Sequence, residues 1–266
     1  MKKVAIEDYA FAVGKIRCLE RFLLTEETFR QADDADLSGA LQLFAESQLY
    51  TDELLHVKDS ARLEALLNQE SRQLQDMIRE LLLDGPLREL LDLTDLGNAQ
   101  RIARDYKSRF LADYLNFVID MHNIKTFLRL YVFKEPQEQL QSYVSCSGFI
   151  PKKDFIHFYT QDITIFLARL EYIHTPSQIL DYSLILKNGI EKAVKEGIFI
   201  TLEREISDFL IKMLKQAKFF TFGPEPVLAY YWARVNEINL IRLIILAKLN
   251  NVREELVAER LNTVYA

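Results

Sequence analysis

The chain has 266 residues, 49% hydrophobic and 27% charged, enough for one large or two to three small folded units and too apolar for a disordered one. Its net charge is −6 with no dense Lys/Arg block, so the concentrated basic surface needed to bind nucleic-acid phosphates is absent from the pattern. With eight Gly and six Pro there are few breaks, and the abundance of Leu, Ile, Glu, Lys and Arg favours helices.

The opening Met1-Lys-Lys-Val-Ala-Ile-Glu-Asp lacks the apolar core of a secretory leader, because Glu7 and Asp8 interrupt it. Periodicity then predicts a helix from Val4 to Phe29, with Phe11, Ile16, Leu19, Phe22 and Leu23 on one broad face. The polar stretch Gln31-Ala-Asp-Asp-Ala-Asp reads as a solvated loop, without the Gly and distal Glu of a calcium loop. A short helix from Leu37 to about Glu46 follows, then an amphipathic one from Ser60 that stops at Asp84-Gly85-Pro86. Beyond Asp95-Leu-Gly-Asn98 one very long helix is expected from Ala99 to about Phe133, closed by Pro136. Ser147-Gly-Phe-Ile-Pro151 marks a turn, and helices resume near Lys152, Asp162, Ile179, Glu191 and Ile200. In the last quarter Gly223 supplies a turn, and Pro224 and Pro226 suit a first helical turn of a long helix from Val227 to Asn250. Asn251 and Glu254 have the spacing of a capping box for a short final helix. The fold class expected is all-α. No run approaches the ~20 apolar residues of a membrane span; the best candidate, Leu240 to Leu249, is broken by Arg242 and Lys248.

Enzyme chemistry finds little footing. Glu53-Leu-Leu-His56 and Glu171-Tyr-Ile-His174 are two Glu-x-x-His pairs of the kind that di-metal carboxylate bundles place on helices, and they define a di-metal oxidase alternative. That alternative needs two further inward Glu residues, and His174 stands at a helix end, just before Thr175-Pro176. There is no G-x-S-x-G elbow, no phosphate loop and no G-x-G-x-x-G turn. Cys18 and Cys146 have no C-x-x-C spacing; a reduced cytoplasmic setting is the simpler reading and one disulfide the alternative. No catalytic, cofactor-binding or metal residue is assigned.

Three helical segments echo one another. Placing Arg17, Lys125 and Arg242 in register aligns Ile16, Ile124 and Ile241 before them and matches Asp120 with Glu237, while the first copy has Ala12 there. A cation inside an apolar helix is costly unless paired or wetted. The reading leaves three options: internal ion pairs (Lys125 with Asp120, Arg242 with Glu237), a shared water-filled channel, or half-exposed positions whose long stems snorkel.

The residues Phe222-Gly-Pro-Glu-Pro-Val-Leu-Ala-Tyr-Tyr and Asn236-Glu-Ile-Asn-Leu-Ile-Arg-Leu-Ile-Ile-Leu-Ala-Lys-Leu-Asn250 resemble the C-terminal signature of the C subunit of V/A-type ATPases, the counterpart of the eukaryotic V-ATPase d subunit. The segments from Tyr9 to Glu20, from Asp120 to Arg129 and at Gly148-Phe-Ile resemble that family's start, central helix and turn. Two departures stand out: Ser147-Gly148 replaces the usual Gly-Gly, and the chain is shorter than typical members. The resemblance implies a funnel-shaped helical protein of three pseudo-three-fold-related bundles, with approximate repeats 1–98, 99–198 and 199–266. It further implies a non-catalytic, cofactor-free coupling piece on the cytoplasmic side, between the rotor shaft subunits and the membrane ring subunits. Membrane contact would come only through the complex. Arg17, Asp120, Lys125, Arg234, Glu237 and Arg242 are the interaction candidates.

Overall fold

The computed structural model describes residues 5–47, 50, 52–144, 146–176 and 178–266. In chain order these form α1 (Ala10–Leu19), α2 (Glu26–Asp34), α3 (Leu37–Ala45), α4 (Ser60–Leu81), α5 (Leu96–Tyr106), α6 (Arg109–Val132), α7 (Gln137–Tyr143), α8 (Lys152–Phe158) and α9 (Ile163–Leu170). There follow β1 (Ile173–His174), β2 (Ile179–Leu180), α10 (Tyr182–Ile185), α11 (Lys187–Glu196), α12 (Ile200–Leu214), α13 (Glu225–Leu249) and α14 (Glu254–Ala258). Apart from that two-stranded antiparallel pair, the described regular structure is helical, as expected.

Several starts follow their caps. Asp36, Asp59 and Asp162 each accept a backbone N–H from the first turn of α3, α4 and α9. Other expectations are corrected. The opening helix, whose expected first residue Val4 lies outside the described residues, is not continuous to Phe29. It breaks at extended Leu23, and Thr25 caps a separate α2 through the Thr28 amide. The helix expected from Ala99 to Phe133 is two helices. Lys107 takes a left-handed conformation (φ 62°) and Ser108 caps α6 through the Leu111 amide at 3.3 Å. Near Ile179 the chain is strand, paired Ile173 to Leu180 and His174 to Ile179. Asn251 does not cap α14, whose N-cap is Arg253. It sits at φ 51° and closes α13 instead: Val252 N donates to Ala247 O at 2.9 Å and Asn251 N to Lys248 O at 3.3 Å, the bonds of a Schellman motif.

The chain divides into two compact units, Met1–Leu91 with Ile211–Ala266, and Asp92–Leu210. In the first, α13 is the central element, packed by α1, α2, α3 and α4. It is apolar nearly all round, from Val227 to Trp232 and through Ile238, Ile241, Ile244 and Ile245, which is the pattern of an enclosed helix. In the second unit α6 has that place, against α5, α7 and α11. Phe127 on α6 stacks on Phe166 with centroids 3.9 Å apart and meets Tyr159 edge-on at 5.5 Å. Among the described residues no helix is long and apolar enough to cross a membrane.

Candidate functional site

The six interaction candidates fall into two kinds: buried groups that brace loops and half-exposed cations on helix faces. In the first unit Glu237, 3% exposed on α13, accepts the Leu24 amide on Oε2 at 2.8 Å and the Tyr50 hydroxyl on Oε1 at 2.8 Å. Arg234, three residues earlier and equally buried, donates to Glu237 Oε1 and to the Tyr50 hydroxyl, with its guanidinium 4.6 Å from the Tyr50 ring centre. Burial pushes the Glu237 carboxyl above the usual carboxylate range, against the pull of Arg234, the Leu24 amide and the Tyr50 hydroxyl. Burial, with Glu237 beside it, also raises the Tyr50 phenol.

In the second unit Asp120, fully buried on α6, accepts the Phe149 and Ile150 amides at 3.1 Å each and the Tyr182 hydroxyl at 3.2 Å. The preceding residue has to be glycine, since a Cβ on Gly148 would collide with Asp120 and with the Asn116 carbonyl. Burial pushes the Asp120 carboxyl up to about 7, with the two amides, Tyr182 and the charge of Arg169 acting the other way. Asn123, on the same helix, donates to Cys146 O at 3.0 Å, and Gln100 donates to Ser147 O at 2.9 Å. The whole Cys146–Ile150 turn is thereby held from α5 and α6.

The two carboxylates aligned in the sequence echo thus do one job. Each fixes the backbone of a loop that opens a helix pair and accepts a tyrosine hydroxyl. The loops match as well: Leu24 precedes buried Phe29 by five residues and the capping Asp36 by twelve, and Ile150 precedes Phe155 and Asp162 by the same numbers. In the second unit the helix pair (α8, α9) follows its long helix α6; in the first, the pair (α2, α3) precedes α13 in the chain.

The expected ion pairs are corrected. Residues five apart on a helix point about 140° away from each other, whereas three or four apart they adjoin. Lys125 accordingly lies by Glu203 at 4.0 Å, beside Arg129, which bonds the same carboxylate. Arg242 reaches Glu64 on α4 at 3.2 Å and Asn239 at 2.6 Å, and Glu237 takes Arg234. Arg17 grips Glu20 and donates through Nη2 to the carbonyls of Ala217, Lys218 and Phe220, all at 3.0 Å. Tyr50, Tyr182, Glu64 and Glu203 were missed by sequence reasoning, because nothing local distinguishes a tyrosine or glutamate whose partner is distant in the chain.

The di-metal alternative loses its helical geometry. Glu53 and His56 sit on a 3-10 helix, Asp52–His56, where Glu53 pairs with Arg62. Glu171 ends α9 and His174 lies on β1. Among the described residues no group of three or more His, Cys, Asp and Glu is placed to hold a metal ion.

Comparison with known proteins adds two findings. Residues 87–260 match the family described as ATP synthase (C/AC39) subunit. The C subunit of the V-type sodium ATPase of Enterococcus hirae is 26% identical over 211 residues, an alignment that takes in 79% of this chain. The chain spans 62% of the length of that relative.

Proposed function

We propose a function from one premise: the chain belongs to the ATP synthase (C/AC39) subunit family. It is a non-catalytic central-stalk subunit of a rotary V/A-type ATPase. It joins the rotor shaft of the soluble sector to the ion-translocating ring and passes torque between them, on the cytoplasmic side of the membrane. Three related helical bundles arranged about one axis are part of this reading, supported by the three echoed helices.

The observation that carries the proposal is the use made of the buried charges. Among the most deeply set candidates, Glu237 and Asp120 fix loop backbones to the two central helices, and Arg234 holds Glu237 and the Tyr50 hydroxyl. A torque-bearing part requires such bracing, since close-packed interiors deform little under load. The half-exposed Arg17, Lys125 and Arg242 remain the candidates for contacts with shaft and ring, where charge sets orientation more than affinity.

The test is reconstitution with purified shaft and ring subunits. The expected result is a complex that co-elutes on size exclusion, with no ATP hydrolysis by the chain alone. Failure to associate with either set would remove the proposal.

A further inference from the structure

Beyond α14 the segment Leu261–Ala266 has no regular structure and lies as a strap on the first unit. Val264 and Tyr265 are buried under it, 3% and 2% exposed, and side-chain bonds seat it. Asn262 Nδ2 donates to Asn236 Oδ1 on α13 at 3.1 Å, the Thr263 hydroxyl to Glu26 on α2, and the Tyr265 hydroxyl to Glu20 Oε1 at 3.1 Å. Glu20, directly after α1, also takes both Nη1 bonds of Arg17, at 2.8 and 2.7 Å. Through Nη2 the same guanidinium holds the carbonyls of Ala217, Lys218 and Phe220. The loop so held returns to the strap: Lys218 Nζ stands 4.6 Å from the centre of the Tyr265 ring, and Lys215 Nζ reaches Ala266 O at 3.4 Å. Burial and Glu20 raise the Tyr265 phenol, with Arg17 acting the other way, so all three groups share one site. Strap, Glu20, Arg17 and loop therefore form a closed circuit of contacts. The loop carries Phe219, 88% exposed, and Phe222, 43% exposed.

We propose that the strap is a latch on the loop Lys215–Gly223. Seated, it holds the loop both directly at Lys218 and through Glu20 and Arg17. Lifted, it frees Lys218, leaves Glu20 to water and lets Arg17 part from the loop carbonyls. Two features suit the strap to this work. Its seating bonds are side-chain bonds, which water replaces at small net cost, so the strap lifts without any helix losing its backbone bonds. Both arms of the circuit meet at one residue, since Tyr265 carries the Glu20 bond on its hydroxyl and the Lys218 contact on its ring. The arms consequently open together, and the pinned loop holds the strap as strongly as the strap holds the loop. What the latch sets is whether Phe219 and Phe222 stand on a fixed loop or a loose one. It needs neither shaft nor ring, so it stands or falls apart from the coupling function.

The test is brief trypsin digestion of the full chain under native conditions, following the cut after Lys218 by mass. Trypsin needs the Lys218 side chain and its flanking backbone free, so the rate follows the population of open loop. Tyr265→Phe keeps the ring and loses the bond to Glu20; it should speed the cut about tenfold. Tyr265→Ala, which also empties the ring's place, should speed it roughly a hundredfold. Cuts after Lys187 and Lys195, in the second unit, should keep their wild-type rates in both variants. Arg17→Gln unpins the loop from the other side and should speed the Lys218 cut as well. If strap and pin are one latch, Arg17→Gln joined to Tyr265→Ala cuts little faster than the faster single variant. Rates that multiply in the double variant, a Lys218 cut unmoved by either Tyr265 change, or an equal rise at Lys187 and Lys195 would overturn the proposal.

Discussion

Asp120 and Glu237 hold equivalent loops, but their charges are compensated differently. Glu237 has a buried guanidinium in direct contact; Asp120 has amides and a hydroxyl, with Arg169 acting only through its charge. The Asp120 carboxyl therefore sits near 7, well above its unfolded value of about 3.8. Between those values the folded protein binds more protons than the unfolded chain. Stability from this group is thus complete below about pH 4 and falls as pH rises to about 7, by up to ~1.4 kcal/mol per pH unit. Urea unfolding of the wild type and of Asp120→Asn across that window should show the wild type losing ground to the variant as pH rises. A difference that stays constant with pH contradicts the assignment. At Glu237 the expectation is different. Glu237→Gln leaves Arg234 buried beside a neutral amide and should cost about 3–5 kcal/mol, and a joint Arg234→Met, Glu237→Leu change should cost a comparable amount, because the buried Leu24 amide and Tyr50 hydroxyl lose their acceptor. The urea midpoint at neutral pH checks both.

Helices were legible where a cap and an apolar stripe agreed, as at Asp59 with Leu63, Leu66 and Leu67. They were illegible where the stripe ran through a break. Ser108 and Thr25 look like solvent-face residues of a longer helix, and only the reversal of the chain at Lys107, or the capture of the Leu24 amide by a carboxylate 213 positions away, makes them caps. The capping box expected at Asn251 failed for a related reason: an Asn–Glu spacing does not tell a helix start from a helix end, and Asn tolerates the left-handed conformation that a Schellman closure needs. The candidate cations were legible in kind and not in partner, since pairing depends on what other elements bring near. The break between α5 and α6 gives a test at this scale. Lys107→Gly should raise stability by about 1 kcal/mol, because a side chain at φ 62° is strained, and Ser108→Ala should lower it by about 1 kcal/mol through loss of the cap. Thermal melts of the two variants should move in opposite directions. Equal shifts of one sign would mean that the break is set by packing alone.

At the scale of the molecule, the order of elements along the chain differs between units that use one bracing scheme. In the second unit the long helix comes first and its loop, helix pair and tyrosine follow; in the first, Leu24, α2, α3 and Tyr50 come before α13. Sequence comparison could register the helices and the Asp120–Glu237 match. It could not reveal that the loop held by Glu237 lies at the other end of the chain, because contact between Leu24 and Glu237 is decided by tertiary packing. The arrangement has a consequence for folding. Residues of the first unit before Leu91 make their core against α13, and they also rely on it for the Leu24 and Tyr50 bonds. The second unit is continuous in the chain and contains both Asp120 and every group that Asp120 holds. A chain stopped before Ile211 should therefore keep slow amide exchange in α6 around Phe127 and lose it throughout α2, α3 and α4. Hydrogen exchange read peptide by peptide decides the matter: protection retained in α4 without α13 would show that the first unit's core forms from its N-terminal helices alone, and loss of protection in α6 would show that the second unit does not stand by itself.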